Sequence, residues 1–268
     1  MPHSLGSNGN AGQWPGALMG STLQNTGRAL EKRIDLLDRV DYRLAETDAD
    51  REAIYRLRYR AYLSEGAIEP RKDHRLTDRF DDAPNSWTFG VYVDGSLASS
   101  LRISVASPEN PDTPAVDAFG DLLEPELAKG KVIVDPNRFV ADPFRENRIP
   151  ELPYVTLRLA YVACAYFNAD IGTATVRREH QAFYRRVFMH TPLCAPRPYP
   201  SLIKPLGLMA VNFQELKEKV FQRYPFFRSS FFERRMLFER QHDTLQPLAP
   251  VLTLPDFPFE RSRVRSSS

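Results

Sequence analysis

VIVDPNRFVADP, residues 132–143, opens as a buried strand and then departs from the pattern of one. Val132, Ile133 and Val134 are β-branched and apolar, which suits a pleated, enclosed surface. Asp135, Pro136, Asn137 and Arg138 follow before Phe139 and Val140 restore the apolar run. Burying a lone charge costs several kcal/mol, so Asp135 and Arg138 each need a partner or a cleft. Pro136 has no N–H to give a sheet ladder, which predicts a bulge or break here. A bulge beside a parallel partner splays two strands, and slots at the carboxyl ends of strands hold ligands in open α/β sheets. A plain strand end with an Asp135–Arg138 surface pair is the competing reading.

The flanking segments place this strand in a mixed α/β sheet. VDYRLAE (40–46) alternates as a half-buried strand. TDADREAIYRLRYRAYLSEG (47–66) opens with capping acids, sets Ile54, Leu57 and Ala61 on one helical face and ends at Gly66. The long polar segment 66–86 has the length of a functional loop. WTFGVYVDGSLASSLRISVA (87–106) folds as a hairpin about Asp94-Gly95, a dipeptide suited to positive φ. Beyond a short helix (115–123) and the opening strand come a helix (152–167), a strand (169–177), a short helix (179–188), a strand (207–213) and a closing helix (213–227). Helical crossovers make the later strands parallel, whereas the hairpin is antiparallel. Helices then cover both sheet faces. Residues 1–21 read as a disordered lead, 22–39 as a helical extension, 40–240 as one domain and 241–268 as a tail.

Composition narrows the function. The formal net charge is +2, with 26% charged and 42% hydrophobic residues, so a nucleic-acid polyelectrolyte role is not indicated. Cys164 and Cys194 form no C-x-x-C, and the five histidines form no i, i+4 pair, so neither a disulfide framework nor a metal site is expected. No run approaches the roughly 18 apolar residues of a membrane helix, and no integral membrane contact is expected. A cytoplasmic chain that meets lipid only as substrate is the expectation.

Other polar residues fall on successive elements. Arg58 sits beside the apolar helix face with Tyr62 four residues on, and Arg102 interrupts the second hairpin strand. Asp78 and Asp81 flank Phe80 in the long loop. Each is bland alone, as a solvated arginine or a surface cap.

Together, Arg58-x-x-x-Tyr62, Asp78-x-x-Asp81, Arg102 and Asp135-x-x-Arg138-Phe139 resemble the signature of acyl-homoserine-lactone synthases and their relatives. The long-chain N-acyl amino acid synthases, among those relatives, are similar to this chain over about residues 40–228. YRLRYRAYLSEG, DRFDDAPNSW, HQAFYRRVF, RPYPSLIKPLGLMAV and RYPFF carry that similarity. The resemblance implies a GCN5-related N-acetyltransferase-like mixed sheet, with splayed central parallel strands and helices on both faces. It also makes 40–240 an acyltransferase domain.

This sequence departs from the signal synthases in having Asp135 where they carry glutamate, and no tryptophan in EGAIEPRKD. DPFRENRIPELP also lacks the glycine-rich pyrophosphate loop of coenzyme A-dependent acetyltransferases. The resemblance thus implies no tightly bound cofactor and a donor presented as the acyl-phosphopantetheine of acyl carrier protein, acyl-CoA being the alternative. The implied reaction moves a long fatty acyl group to the amine of an amino acid or similar small acceptor. A homoserine-lactone-type signal synthase and an inactive acyl-binding module are the other readings.

Residue roles follow from the resemblance. Asp135 takes the amine proton or orients the acceptor. Arg138 and Arg102 hold the site in shape by pairing with Asp78, Asp81 or Asp135. Tyr184 is the acid for the leaving thiolate, Arg58 a ligand for an acceptor carboxylate, and Tyr62 and Phe139 substrate contacts. Arg177, Arg178, Arg185 and Arg186 form the face for an acidic carrier protein. Phe139, Tyr161, Phe167, Phe183 and Phe188 are candidates to wall an acyl tunnel.

Overall fold

The computed structural model describes residues 30–144, 149–199 and 202–240. The segments 1–21 and 241–268 lie outside the described residues. Of the expected helical extension, residues 30–37 are helical. Seven strands form one sheet in the order β1-β2-β3-β4-β5-β7-β6. They are β1 (Val40–Leu44), β2 (Ser86–Val93), β3 (Ser96–Ala106), β4 (Ile133–Ala141), β5 (Ile171–Val176), β6 (Thr191–Pro192) and β7 (Gly207–Asn212). After residue 40 the α-helices are α1 (Asp48–Ser64), α2 (Pro114–Leu127), α3 (Leu152–Tyr166), α4 (Gln181–Phe188), α5 (Phe213–Arg223) and α6 (Phe231–Phe238).

The β2–β3 hairpin turns at Asp94 and Gly95, with φ of 50° and 75°. Both residues therefore adopt the left-handed conformation of a tight primed turn. Helix α1 starts on a reciprocal capping box between Thr47 and Asp50, and Gly66, at φ 60°, lies beyond its end. Strand β3 is buried on both faces. Leu101, Ile103 and Val105 join the main core with α3 residues Leu157 and Val162. Ser100, Arg102 and Ser104, equally enclosed, point to the opposite face. There α2 packs Ala115, Phe119 and Leu123 over Ile133, and α1 sets Leu57 and Ala61 against Val140. The protein thus has an apolar layer under α3 and a polar layer under α1 and the loop that follows it.

Three features differ from the sequence expectations. Only β4 and β5 pair as parallel neighbours among the described residues; β7 is antiparallel to β5. The helical crossover does produce a strand in the sense of β5, but that strand is the two-residue β6, and β7 returns between β5 and β6. Two residues carry no readable period. Helix α6 was also unforeseen, because Phe231, Phe232 and Met236 face outward and blur its amphipathic pattern. It is pinned by Phe238, buried against Trp87 and Phe89, and by a bidentate Arg158–Glu233 ion pair.

Candidate active site

Strands β4 and β5 pair at only two positions, Ile133 with Ile171 and Val134 with Gly172. Beyond them a cleft of about 520 Å³ separates Pro136–Ala141 of β4 from Thr173–Val176 of β5. The divergence begins where β4 carries one residue more than β3. Asn137 faces Arg102, yet Val140 already faces Ser100. This is the expected bulge, centred on Arg138 rather than Pro136. Arg138 takes φ 53°, a left-handed conformation that costs a bulky residue about 1–3 kcal/mol. The offset is electrostatic: its Nε and Nη2 both donate to Asp78 Oδ2, at 2.9 and 2.5 Å.

Asp78 belongs to a buried charge network. Arg102 donates through Nη1 and Nη2 to its two oxygens at 2.6 and 3.0 Å, and through the same Nη1 to Asp81 Oδ1 at 2.8 Å. Arg58 Nη1 reaches that Asp81 oxygen at 2.6 Å. A single 3-10 turn, Arg79–Asp81, presents both carboxylates through a capping box in which Asp78 N–H donates to Asp81 Oδ2. Arg102 Nε then donates to Asn137 Oδ1 at 2.7 Å, tying the network to the bulge. Burial alone would raise the Asp78 pKa, but the hydrogen bonds and charges of Arg102 and then Arg138 hold it well below the carboxylate range. Of these contacts, the pairing of Arg102 and Arg138 with Asp78 or Asp81 is the one the sequence reading expected. One role changes: Arg58 is fully enclosed and committed to Asp81 and Thr88, so it does not reach the cleft, and an acceptor carboxylate cannot meet it.

Asp135 is also fully enclosed, immediately behind the cleft wall. Its Oδ2 accepts from the Ala115 N–H in the first turn of α2 at 2.9 Å, and its Oδ1 from Thr173 Oγ1 at 3.3 Å. Asn137 Nδ2 lies 3.4 Å from Oδ2. Burial pushes its pKa up to about 6, and these donors limit the rise. Asn137 and Thr173 line the cleft, so each joins the carboxylate to the open space. Neither was singled out in the sequence, although Thr173 and Thr175 alternate with apolar residues along β5.

Tyr62, Arg138, Phe139 and Tyr184 do line the cleft. The Arg138 guanidinium stands over the Tyr62 ring at 5.7 Å. Burial raises the Tyr184 phenol above its ordinary pKa, so the group holds its proton. Of the expected aromatic wall, Phe139 and Phe183 are in place. Tyr161, Phe167 and Phe188 are not. Tyr161 stacks between Phe188 and Phe227, and Phe167 packs on Trp87 and Phe238, so all three belong to the core. Of the four arginines assigned to a carrier, Arg177 and Arg186 line the cleft together with Lys204 and His180. Arg178 and Arg185 are exposed nearby on the same segment. Arg177 is engaged by Glu65 and Glu179.

A family model described as N-acyl amino acid synthase FeeM matches residues 53–212, from α1 to the end of β7. The chain belongs to this family. It is an N-acyltransferase, and its mixed sheet with splayed central strands is the fold of FeeM. The solved structure of FeeM, an N-acyl amino acid synthase from uncultured soil microbes, superposes with a TM-score of 0.58 at 17% identity, over 69% of this chain and 97% of that one. A CoA-dependent acyl-homoserine lactone synthase, BjaI, gives 0.49 at 16% identity over 69% and 89%. The ribosomal-protein-S18-alanine N-acetyltransferase of Escherichia coli gives 0.44 at 13% over 64% and 92%. No curated protein matches the chain. Among the described residues, no helix of this N-acyltransferase is long and apolar enough to cross a membrane.

Proposed function

We propose that this N-acyltransferase moves a long fatty acyl group from the pantetheine thioester of acyl carrier protein to the amino group of an amino acid or similar small amine. The observation that carries this reading is the cleft between β4 and β5, with an enclosed carboxylate of raised pKa directly behind its wall. The acyl thioester lies along the cleft, flanked by Phe139, Leu157 and Phe183. Backbone N–H groups on the unpaired side of β4 support the oxyanion of the tetrahedral intermediate. The amine proton passes to Asp135 through the Thr173 hydroxyl, and the Tyr184 phenol protonates the departing thiolate. The Asp135 carboxylate, ionised above about pH 6, takes the proton as a base, and the Tyr184 phenol, which holds its proton, gives one as an acid.

A carrier-bound donor is favoured by the start of α3. A coenzyme A diphosphate needs free backbone N–H groups at such a helix end. Here Leu152 N–H donates to Ile149, Tyr154 and Val155 both donate to Glu151, and Pro153 has none to give. The cleft mouth meanwhile carries Arg177, Arg186 and Lys204, suited to an acidic carrier.

Steady-state transfer with matched acyl-carrier and acyl-CoA donors tests this. Arg186→Glu is expected to raise the KM for the acyl-carrier donor about tenfold, the change from attraction to repulsion at a mouth charge, and to leave transfer from a truncated acyl-pantetheine thioester unchanged. An equal effect on both donors removes the carrier from the proposal. A second variant tests the acyl path. Ala174→Phe narrows the β5 wall and is expected to shift preference toward shorter acyl chains by at least about tenfold in kcat/KM, as filling several methylene positions requires. Unchanged chain preference places the acyl group elsewhere.

A further inference from the structure

Helix α6 and the loop before it carry a surface that acyl transfer does not use. Phe231, Phe232 and Met236 are 68%, 72% and 69% exposed. With Arg235 they occupy positions i, i+1, i+4 and i+5 of one helix, and so share one outward face. The helix is held in this orientation by Phe238, buried at the edge of the face next to Phe231, and by Glu233 on Arg158. Arg234, on the inner flank of the same helix, lines a separate polar pocket of about 360 Å³ with Lys217, Arg228, Gln214, Asn168 and Glu218 among others. Its three cations face one carboxylate, Glu218, which pairs with Arg228.

We propose that α6 is a peripheral docking surface for an anionic bilayer. Phe231, Phe232 and Met236 enter the interface, and the Lys217–Arg228–Arg234 pocket receives a phosphate headgroup. An amphipathic face with aromatic residues beside arginines has the chemistry of interfacial binding. A second copy of the chain fits less well. Three side chains of this size expose only roughly 300–500 Å², well below the roughly 800 Å² per partner of a stable interface. Two such faces would also oppose their arginines. A carrier protein docked here would be misplaced, since no α6 residue lines the catalytic cleft. The inference stands whether or not the donor and acceptor proposed above are correct. If they are, docking sets a lipid-making enzyme beside the phase into which its amphiphilic product partitions.

Vesicle co-sedimentation of the full chain tests it. Phosphatidylcholine vesicles with about one-third phosphatidylglycerol are expected to bind the wild type at least tenfold more strongly than pure phosphatidylcholine, and raising the salt is expected to abolish the difference. The double variant Phe231→Ser/Phe232→Ser is expected to lose at least tenfold in binding to the anionic vesicles. Arg228→Gln/Arg234→Gln is expected to remove the preference for them. Neither pair touches the cleft, so acyl transfer in detergent-free solution should be unchanged and reports that each variant is folded. Absence of wild-type binding to anionic vesicles overturns the proposal, as does binding that both variants retain. A wild-type dimer in sedimentation velocity that Phe231→Ser/Phe232→Ser dissolves also overturns it, by assigning the face to a second copy.

Discussion

Replacing Asp135 with asparagine is expected to lower kcat/KM by about 10²- to 10³-fold while raising the melting temperature at neutral pH, the loss being that of a general base. The two effects share one cause. Enclosure lifts this carboxyl to about 6, so above that pH the fold holds a charge it would rather not hold. Between the ordinary carboxylate range and 6, the folded protein keeps a proton that the unfolded chain releases. The contribution of this group to stability therefore falls as pH rises through that window. At pH 7 the deficit reaches at most about 3 kcal/mol. Asparagine removes it, since its amide oxygen still accepts from Ala115 N–H and its amide nitrogen can donate to Thr173 Oγ1. Calorimetry at pH 7 should show the variant melting higher, with the gain shrinking toward pH 4 as the wild-type carboxyl protonates. The wild-type rate should climb through pH 6 and the variant should lack that limb. A variant that retains full activity, or retains the limb, removes Asp135 from the chemistry.

Asp81→Ala is expected to be the most destabilising single change in the site, at about 3–5 kcal/mol. Its carboxylate, with a side chain only 2% exposed, is shared by Arg58 and Arg102, both fully enclosed. Removing it strands Arg58 with no carboxylate among the described residues and leaves Arg102 half-served. A melting temperature lower by roughly 10 °C is the expected readout for a domain of this size. The double variant Arg58→Met/Asp81→Leu deletes charge and countercharge together and should recover part of the loss. If the double variant is worse than Asp81→Ala, the cost lies in packing rather than in an unpaired cation. Asp78 adds a pH signature of opposite sign to that of Asp135. Its folded pKa is depressed, so its stabilisation is complete above the ordinary carboxylate value and is lost as pH falls below it. Acid should therefore loosen the bulge and the 3-10 turn before the apolar layer melts.

The residues of the charge network were legible in the sequence because a buried charge demands a partner. Arg102 between Leu101 and Ile103, and Arg138 just before Phe139, are cations set into apolar strands, which called for an acid or a cleft. Which partner each one takes was not legible. Arg58 and Tyr62 are neighbours on α1, yet the first turns inward to Asp81 and the second outward to the cleft. Only the position of the 66–86 loop decides that. The same holds for the aromatics: Phe183 walls the cleft and Phe188, on the same short helix, stacks in the core with Tyr161.

Local chemistry was decided by the chain itself: the Asp94-Gly95 turn, the capped helix Asp48–Ser64, and an irregularity in the central strand, which the structure places at Arg138. These depend on neighbours a few residues apart, where φ preferences and side-chain period act directly. The antiparallel return of β7, the outward face of α6 and the seat of Asp135 behind rather than on the cleft wall were decided by the tertiary structure. Strand direction after a long connection and side-chain exposure depend on what the rest of the chain places opposite, and periodicity encodes a face without naming what covers it.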